Sequence, residues 1–474
     1  MDAKTIVCEN NYTDRDYLED YSAYYSRCLN DYGRRCFRLH FFSDKKISND
    51  FFISAIKNQT EEDKLKDLKA SYLGFIIIKP LPSKFIGRTC LKTYPSVSGR
   101  NFPITRIYNV NLFGIELEVK TLAFQEQDTV VSACATSALW SVFHGTGILF
   151  HHQILSPVEI TRHATDQLPI RSRIFPNSGL VLEQMAHAIK DVGLEPLLVS
   201  GLYKNNSSLL TTNIYSYLKL GIPLIMGGFI YKKQSGKYSL KGSHAVAVTG
   251  FSLPEKHSIK DKSAPFCAEA IDKIYCHDDQ IGPFARYELK TNSNNFLNIS
   301  NIFPQYYLTA FNDDNCIMVP NIILIPLYHK IRIPFEVARK ITLAFNKLYK
   351  LIFHELCWDI FLSKSNDTKK EVAKSSAVNK EEVLLKSLPR FVWTLRAYKE
   401  KTKSLLFDIL IDATDIESGD MFLCTVFYHK SSLENFKHMG NKLAEIYLKA
   451  VEKKRIPYDK SIHSILNKYS KTDF

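Results

Sequence analysis

One cysteine lies where a mostly polar segment gives way to a strongly helical one, and this transition constrains the fold more than any other part of the sequence. Residues 125–133 are mostly polar or small, and Cys134 follows them. Beyond it, apolar residues recur at helical spacing, namely Ala135, Ala138, Leu139, Val142 and Phe143. The sequence therefore predicts a helix whose first turn carries Cys134. Backbone N–H groups and the positive dipole end at a helix N-terminus stabilise a thiolate and can also hold an oxyanion.

A histidine and two carboxylates lie further along the chain, at the ends of predicted strands. His244 opens an apolar, β-branched run, and Asp278 and Asp279 end the next such run before a glycine-proline turn. An imidazole at the start of a strand can face a helix N-terminus, and a carboxylate can orient that imidazole. We predict Cys134 as nucleophile, His244 as base and Asp278 as orienting acid. Asp279 is the alternative acid, because the residue nearer the strand has the better fixed direction.

A helix-borne cysteine, a histidine on a strand and an aspartate at the end of the next strand follow one another in an order that resembles papain-like cysteine peptidases. The pattern is most similar to the bacterial group that includes the peptidases processing double-glycine bacteriocin leaders, and it covers about residues 120–295. Residues 179–193 and 213–226 match the connecting helices, turn and strand of that group. The resemblance implies a papain-like two-lobed catalytic domain, with a helical lobe, an antiparallel sheet and a Cys-His-Asp triad.

The resemblance also implies a glutamine that donates a hydrogen bond to the oxyanion. Gln127 and Gln125 lie seven and nine residues before Cys134, farther than is usual in that group. Gln127 is the first candidate and Gln125 the alternative, and the assignment stays open at this point. A Lys- and Ser-rich insertion at 253–268 separates the histidine strand from the aspartate strand and bears on substrate access.

The chain of 474 residues has room for two or three domains. We predict an N-terminal accessory α+β region over 1–118, a peptidase-like domain over 119–300 and a C-terminal accessory region over 301–474. Residues 363–382 are rich in Ser, Lys, Asn and Asp and predict a mobile linker. Polar, Gly-bearing connections between three predicted strands indicate an antiparallel sheet, and the strands are 223–231, 244–251 and 271–276. The predicted fold class is α+β.

Cysteine usage and hydropathy indicate the compartment. Ten cysteines without paired spacing do not form a disulfide framework, the first residues lack the apolar core of a signal peptide, and no apolar run is long enough to cross a bilayer. A reducing, cytoplasmic setting without membrane attachment is expected. The net charge of +13 raises the question of nucleic acid, but the basic residues are dispersed and have acids beside them, as at Lys369 and Lys370. Nucleic-acid binding is therefore the weakest alternative.

A metal site is the competing interpretation, because four residues of ligand type adjoin one another, namely Cys276, His277, Asp278 and Asp279. Adjacent strand residues point to opposite faces, so the four cannot converge on one ion. We expect neither a metal nor a cofactor.

The sequence thus predicts a cysteine peptidase-like hydrolase of peptide or isopeptide bonds, acting on a protein or peptide substrate. Attack by an amine instead of water would make it an acyl transferase. A catalytically silent papain-like scaffold or binding module is the other alternative, since the insertion could close the cleft. The two long flanking regions suggest a dedicated protein partner or restricted substrate entry.

Overall fold

The computed structural model has a mixed α+β fold with antiparallel sheets, which confirms the predicted fold class at that level. By its internal contacts the chain divides into two compact units. Unit 1 comprises Met1–Asn206, Gly221–Leu253 and Asp272–Leu327, and unit 2 comprises Ser207–Leu220, Pro254–Ile271 and Tyr328–Phe474. The structure describes residues 2–44, 47–57, 62–83, 85–95, 99–128, 133–166, 179–253, 266–293, 296–299, 301–353, 355–399, 404–417, 419–453 and 457–470.

Unit 1 begins with a sheet and three helices. The strands are β1 (Thr5–Tyr12), β2 (Cys36–Phe42), β3 (Tyr72–Ile78) and β4 (Ile86–Leu91), and the helices are α1 (Arg15–Ala23), α2 (Asn49–Lys57) and α3 (Glu62–Ser71). The strands pair antiparallel in chain order. Burial alternates along β2, so one face of the sheet packs on a core.

Four more strands follow in unit 1. They are β5 (Arg100–Asn101), β6 (Arg106–Leu112), β7 (Ile115–Thr121) and β8 (Leu194–Ser200). β6 and β7 form a hairpin that is paired along its whole length. Its two-residue turn, Phe113-Gly114, has positive φ at both residues, which matches the twist of a tight hairpin.

A closed ring of strands forms the largest sheet of unit 1. Its described members are β9 (Leu224–Gln234), β10 (Lys237–Ser252), β11 (Lys273–Asp278), β12 (Gly282–Thr291), β13 (Tyr306–Ala310) and β14 (Cys316–Tyr328). Each pairs antiparallel with the next along the chain, and β14 pairs with β9, which closes the ring. β5 pairs with β10 and β8 with β14, so the whole sheet has eight described strands. The antiparallel relation predicted for the strands near 223–231, 244–251 and 271–276 is confirmed.

Three helices of unit 1 lie in the segment that carries the cysteine. They are α4 (Cys134–Phe150), α5 (Pro157–Thr165) and α6 (Leu182–Asp191). α5 begins as its sequence predicts, with Ser156 and Glu159 forming a capping box and proline in the first turn. α4 is buried along most of its length and packs on β10. Gly145 lets α4 come close to the residue that precedes β9, because a Cβ there would lie 2.7 Å from the Pro223 Cγ.

Unit 2 contains an antiparallel meander and the remaining helices. Its described strands are β15 (Leu356–Lys364), β16 (Phe391–Lys399), β17 (Leu405–Asp412) and β18 (Phe422–Phe427), paired in that order. Its helices are α7 (Ser207–Leu218), α8 (Phe335–Lys350), α9 (Ser365–Lys374), α10 (Lys380–Leu385), α11 (Lys430–Glu452) and α12 (Lys460–Ser470). The sheet core includes Trp358 and Trp393, both almost fully buried.

The prediction of a mobile linker near 363–382 is wrong, because α9 and the first half of α10 lie in that segment. Val372, Ala377 and Val383 are buried in one core cluster with residues of β17 and β18. The Lys369 ammonium also donates to the backbone carbonyls of Leu384 and Lys386. A few widely spaced apolar residues therefore suffice to order a segment whose composition is that of a linker.

The fold also bears on the insertion at 253–268 and on the expected lack of a membrane span. Residues 254–265 of the insertion at 253–268 lie outside the described residues. Among the described helices, none is both long and apolar enough to cross a membrane. The domain boundaries at 118 and 300 remain predictions.

Candidate active site

Cys134 is the first residue of α4, as its sequence context predicts. The residue before it, Ala133, makes no side-chain cap, and the first turn contains no acidic residue. The positive end of the helix dipole is therefore not neutralised by a capping side chain at the sulfur. The Cys134 side chain is partly exposed, while Ala135 and Ala138 behind it are buried.

His244 lies on β10 and brings the imidazole to the cysteine. The Cys134 thiol lies within reach of the His244 side chain and contributes to raising the pKa of the imidazole. The other side of the ring is held by Asp278, whose Oδ1 accepts from His244 Nε2 at 3.0 Å. Because Nε2 is engaged by Asp278, Nδ1 is the ring nitrogen left for the sulfur. The structure thus brings together the three residues that the sequence selected as a triad.

The surroundings of His244 favour its protonated form. Burial on its own would lower the pKa of this imidazole. The hydrogen bonds to Asp278 and Cys134, together with the negative charges of Asp278 and Asp279, outweigh burial and raise the pKa of His244 to about 10. An imidazolium beside a thiol at a helix N-terminus is the arrangement that stabilises a thiolate.

Asp278 ends β11 and is held on several sides. Besides His244, the Tyr287 hydroxyl donates to Oδ2, and the Gln280 backbone N–H donates to Oδ1 at 2.9 Å. Burial works to raise the pKa of Asp278, but these hydrogen bonds and the charge of His244 bring it below its usual value. The carboxylate is therefore ionised and fixed in direction.

Asp279 is the second carboxylate at the imidazole and has a different environment. Its Oδ1 lies 3.7 Å from His244 Nε2, and its buried Oδ2 has no hydrogen-bond partner in the described part of the chain. Burial raises the pKa of Asp279 to about 6, and the nearby charges of Asp278 and Glu126 act in the same direction. Asp278 is thus the better placed of the two to orient His244.

The two candidate glutamines differ in burial. Gln125 is 2% exposed, and its side-chain Nε2 is buried without a hydrogen-bond partner among the described residues. Gln127 is partly exposed. The segment between Asp128 and Ala133, which leads into α4, lies outside the described residues.

Metal-ligand atoms do converge at one place in the described residues. His244, Asp278 and Asp279 each offer one such atom, and these atoms lie within 4.8 Å of one another. Two of these residues already form a hydrogen bond with each other, from His244 Nε2 to Asp278 Oδ1. His277 is not part of this group, because its ring packs against Phe124 and Phe284 and its pKa is lowered to about 3 by burial.

No protein-family model and no curated protein matches the chain. The function of the site is therefore inferred from its own residues and geometry.

Sequence reasoning did not find Tyr287 or the Gln280 backbone N–H as partners of Asp278. Tyr287 lies on β12, which pairs with β11, and its role depends on the register between these strands. A hydrogen bond from the Gln280 N–H to a side chain two residues earlier is an Asx-type turn, and Asp278 before the Gly282 turn was a usable signal for it. No local pattern around Tyr287 distinguishes it from a core tyrosine.

Proposed function

We propose that this protein is a thiol hydrolase of the cysteine-peptidase type, with Cys134 as nucleophile, His244 as base and Asp278 as orienting acid. The observation that supports this most strongly is that His244 is hydrogen-bonded to Asp278 on one side and has the Cys134 thiol within reach on the other. Such a nucleophile, base and orienter in mutual contact are the parts that acyl transfer needs. The site adds a partly exposed sulfur at a helix N-terminus.

In the proposed mechanism, the thiol proton passes to Nδ1 of His244, and Asp278 stabilises the resulting imidazolium through Nε2. The thiolate sulfur attacks the substrate carbonyl carbon, and the carbonyl π electrons move to the oxygen. When this tetrahedral intermediate collapses, the amine leaves with the proton from His244 and a thioester remains. His244 then takes a proton from water, the hydroxide attacks the thioester, and the thiol returns as the acid is released.

The developing oxyanion needs donors that are present before reaction. The Cys134 backbone N–H at the start of α4 is the first. The sequence placed Gln127 ahead of Gln125 as the second, but the buried Nε2 of Gln125, which has no hydrogen-bond partner in the described part of the chain, supports Gln125 instead. A buried amide donor without an acceptor is unfavourable in the free protein, and an oxyanion would satisfy it.

The fold is compatible with the proposed papain-like arrangement. The nucleophile is on a helix, while the base and the orienting acid are on adjacent strands of a closed antiparallel ring. This is the distribution of elements that the resemblance to leader-processing peptidases implies. A hydrolase and an acyl transferase share this machinery up to the thioester, and they differ in whether water or an amine attacks it.

Peptide hydrolysis tests the proposal. Purified protein is incubated with a mixed peptide library, and new termini are identified by mass spectrometry. Cys134→Ala and His244→Ala should each reduce the cleavage rate by about 10³-fold or more, since both act on the reacting atoms. Cys8→Ala, which changes an exposed cysteine, is the matched control and should cleave like the wild type. A Cys134→Ala protein that cleaves as fast as the wild type would contradict the proposed function.

A further inference from the structure

A small cavity adjoins the proposed catalytic residues within unit 1. It has a volume of about 180 Å³. Its walls include the apolar side chains of Ile76, Ile86, Leu91 and Phe124, and the acidic residues Glu126 and Asp279. We call this space the Asp279 cavity. It is well below the roughly 300–1,000 Å³ typical of pockets for whole ligands, so it suits a single side chain.

Asp279 presents one carboxylate oxygen in this wall that has no hydrogen-bond partner among the described residues. Its neighbour Asp278 receives hydrogen bonds from His244, Tyr287 and the Gln280 backbone. Asp279 is only 5% exposed, and its Oδ2 accepts no hydrogen bond from any described residue. A buried carboxylate oxygen without a donor is costly, and a cationic donor entering the cavity would relieve that cost.

Glu126 adds negative charge to the same wall. Its Oε2 accepts from the Ile86 backbone N–H at 2.9 Å, which fixes the carboxylate at the edge of the cavity. Glu126 is close enough to Asp279 for the two charges to interact. The cavity therefore combines apolar walls with a negative end.

We propose that the Asp279 cavity binds the side chain of a lysine, with the methylene stem against the apolar walls and the ammonium at Asp279 Oδ2. Lysine is favoured over arginine because only one Asp279 oxygen is available. Oδ1 faces His244, whereas a guanidinium prefers both oxygens of a carboxylate at once. This inference rests on the proposed function for its role, which is to hold the side chain of a substrate lysine near the cleaved bond.

Binding can be tested without catalysis. The Cys134→Ala protein is titrated with Nα-acetyl-lysine amide and with its neutral counterpart Nα-acetyl-norleucine amide, in a buffer containing a chelator, and binding is followed by calorimetry. The lysine compound should bind about 10-fold or more tightly than the norleucine compound, because a buried charged pair is worth more than the stem alone. Asp279→Asn in the same background should abolish the difference.

Glu195→Gln, which removes an exposed acid on β8 in the same unit, is the matched control and should retain the preference for lysine. Equal binding of the two compounds, or a lysine preference that survives Asp279→Asn, would overturn the inference.

The active protein then tests the role of the cavity. Faster hydrolysis of lysine-containing peptides than of norleucine-containing ones assigns the cavity to a substrate residue, and equal hydrolysis of the two would contradict that role. Selective lysine binding to Cys134→Ala, with no turnover of any peptide by the wild type, would refute the proposed function and leave the binding inference intact.

Discussion

Two adjacent carboxylates at His244, Asp278 and Asp279, have environments that shift their pKa values in opposite directions. Asp278 is saturated with hydrogen bonds, and its pKa is lowered despite burial. Asp279 lacks these donors, and burial raises its pKa to about 6. Neighbouring acids with separated pKa values are common where one orients and the other binds or exchanges a proton. A purely structural pair at the end of a strand would gain more by facing solvent.

Asp279 should lower the stability of the free protein at neutral pH. Its pKa in the folded state, about 6, exceeds the unfolded value of 3.8. The folded state therefore favours the protonated acid, and this contribution is complete below pH 3.8 and lost as the pH rises through 6. Asp279→Asn should increase the free energy of unfolding near neutral pH by on the order of 2 kcal/mol, and by less as the pH falls towards 4. Urea denaturation across this range measures it, and a destabilised Asp279→Asn protein near neutral pH would contradict the assignment.

At the scale of elements, the sequence predicts the features that depend on a short stretch of residues. The helix that starts at Cys134 and the capping box at Ser156 and Glu159 are confirmed, because both depend on residues within one turn of each other. The linker at 363–382 failed for the opposite reason. Its helices are ordered by packing on β17 and β18, which follow later in the chain. The closure of the strand ring through β9 and β14 was not predicted, since the pairing of strands this far apart in the chain is set by long-range contacts.

The same distinction explains which parts of the site could be read from the sequence. Cys134 begins α4 and Asp278 ends β11, where a local pattern reveals them. His244 was predicted to open its strand, but β10 begins at Lys237, and His244 opens only its buried half. Tyr287 is in the middle of β12, and part of the wall of the Asp279 cavity comes from β3 and β4, about 200 residues away from Asp279 in the chain. Their roles arise only when the strands pair and pack.

At the scale of the whole molecule, the predicted N-terminal accessory region lies in the same compact unit as the candidate site. A buried ion cluster joins the two parts of the sequence. The fully buried Lys79 ammonium lies 3.6 Å from Asp20 Oδ2 and 3.7 Å from Asp128 Oδ2. Burial works against the charge of Lys79, but the two carboxylates raise its pKa. Asp128 precedes Cys134 by six residues, so this cluster fixes the chain at residue 128, ahead of α4.

Lys79→Met should destabilise unit 1 strongly, because it leaves the carboxylates of Asp20 and Asp128 buried without their cation. The expected loss is about 3–5 kcal/mol in the free energy of unfolding, measured by urea denaturation. Lys273→Met is the matched control. Lys273 pairs with Asp272 at 2.8 Å on a more exposed surface of the same unit, and its loss should cost about 0–1 kcal/mol. Similar small effects for both variants would show that the cluster does not hold the N-terminal region to the rest of unit 1.

The central claim is that His244 activates Cys134, and the rate at which iodoacetamide alkylates Cys134 near neutral pH tests it most directly. Peptide mass spectrometry follows this cysteine separately from the others. In the wild type, Cys134 should react about 10²-fold faster than in His244→Ala, with Asp278→Asn between the two, because each change removes part of the chain that stabilises the thiolate. Equal rates in the wild type and His244→Ala would contradict the account.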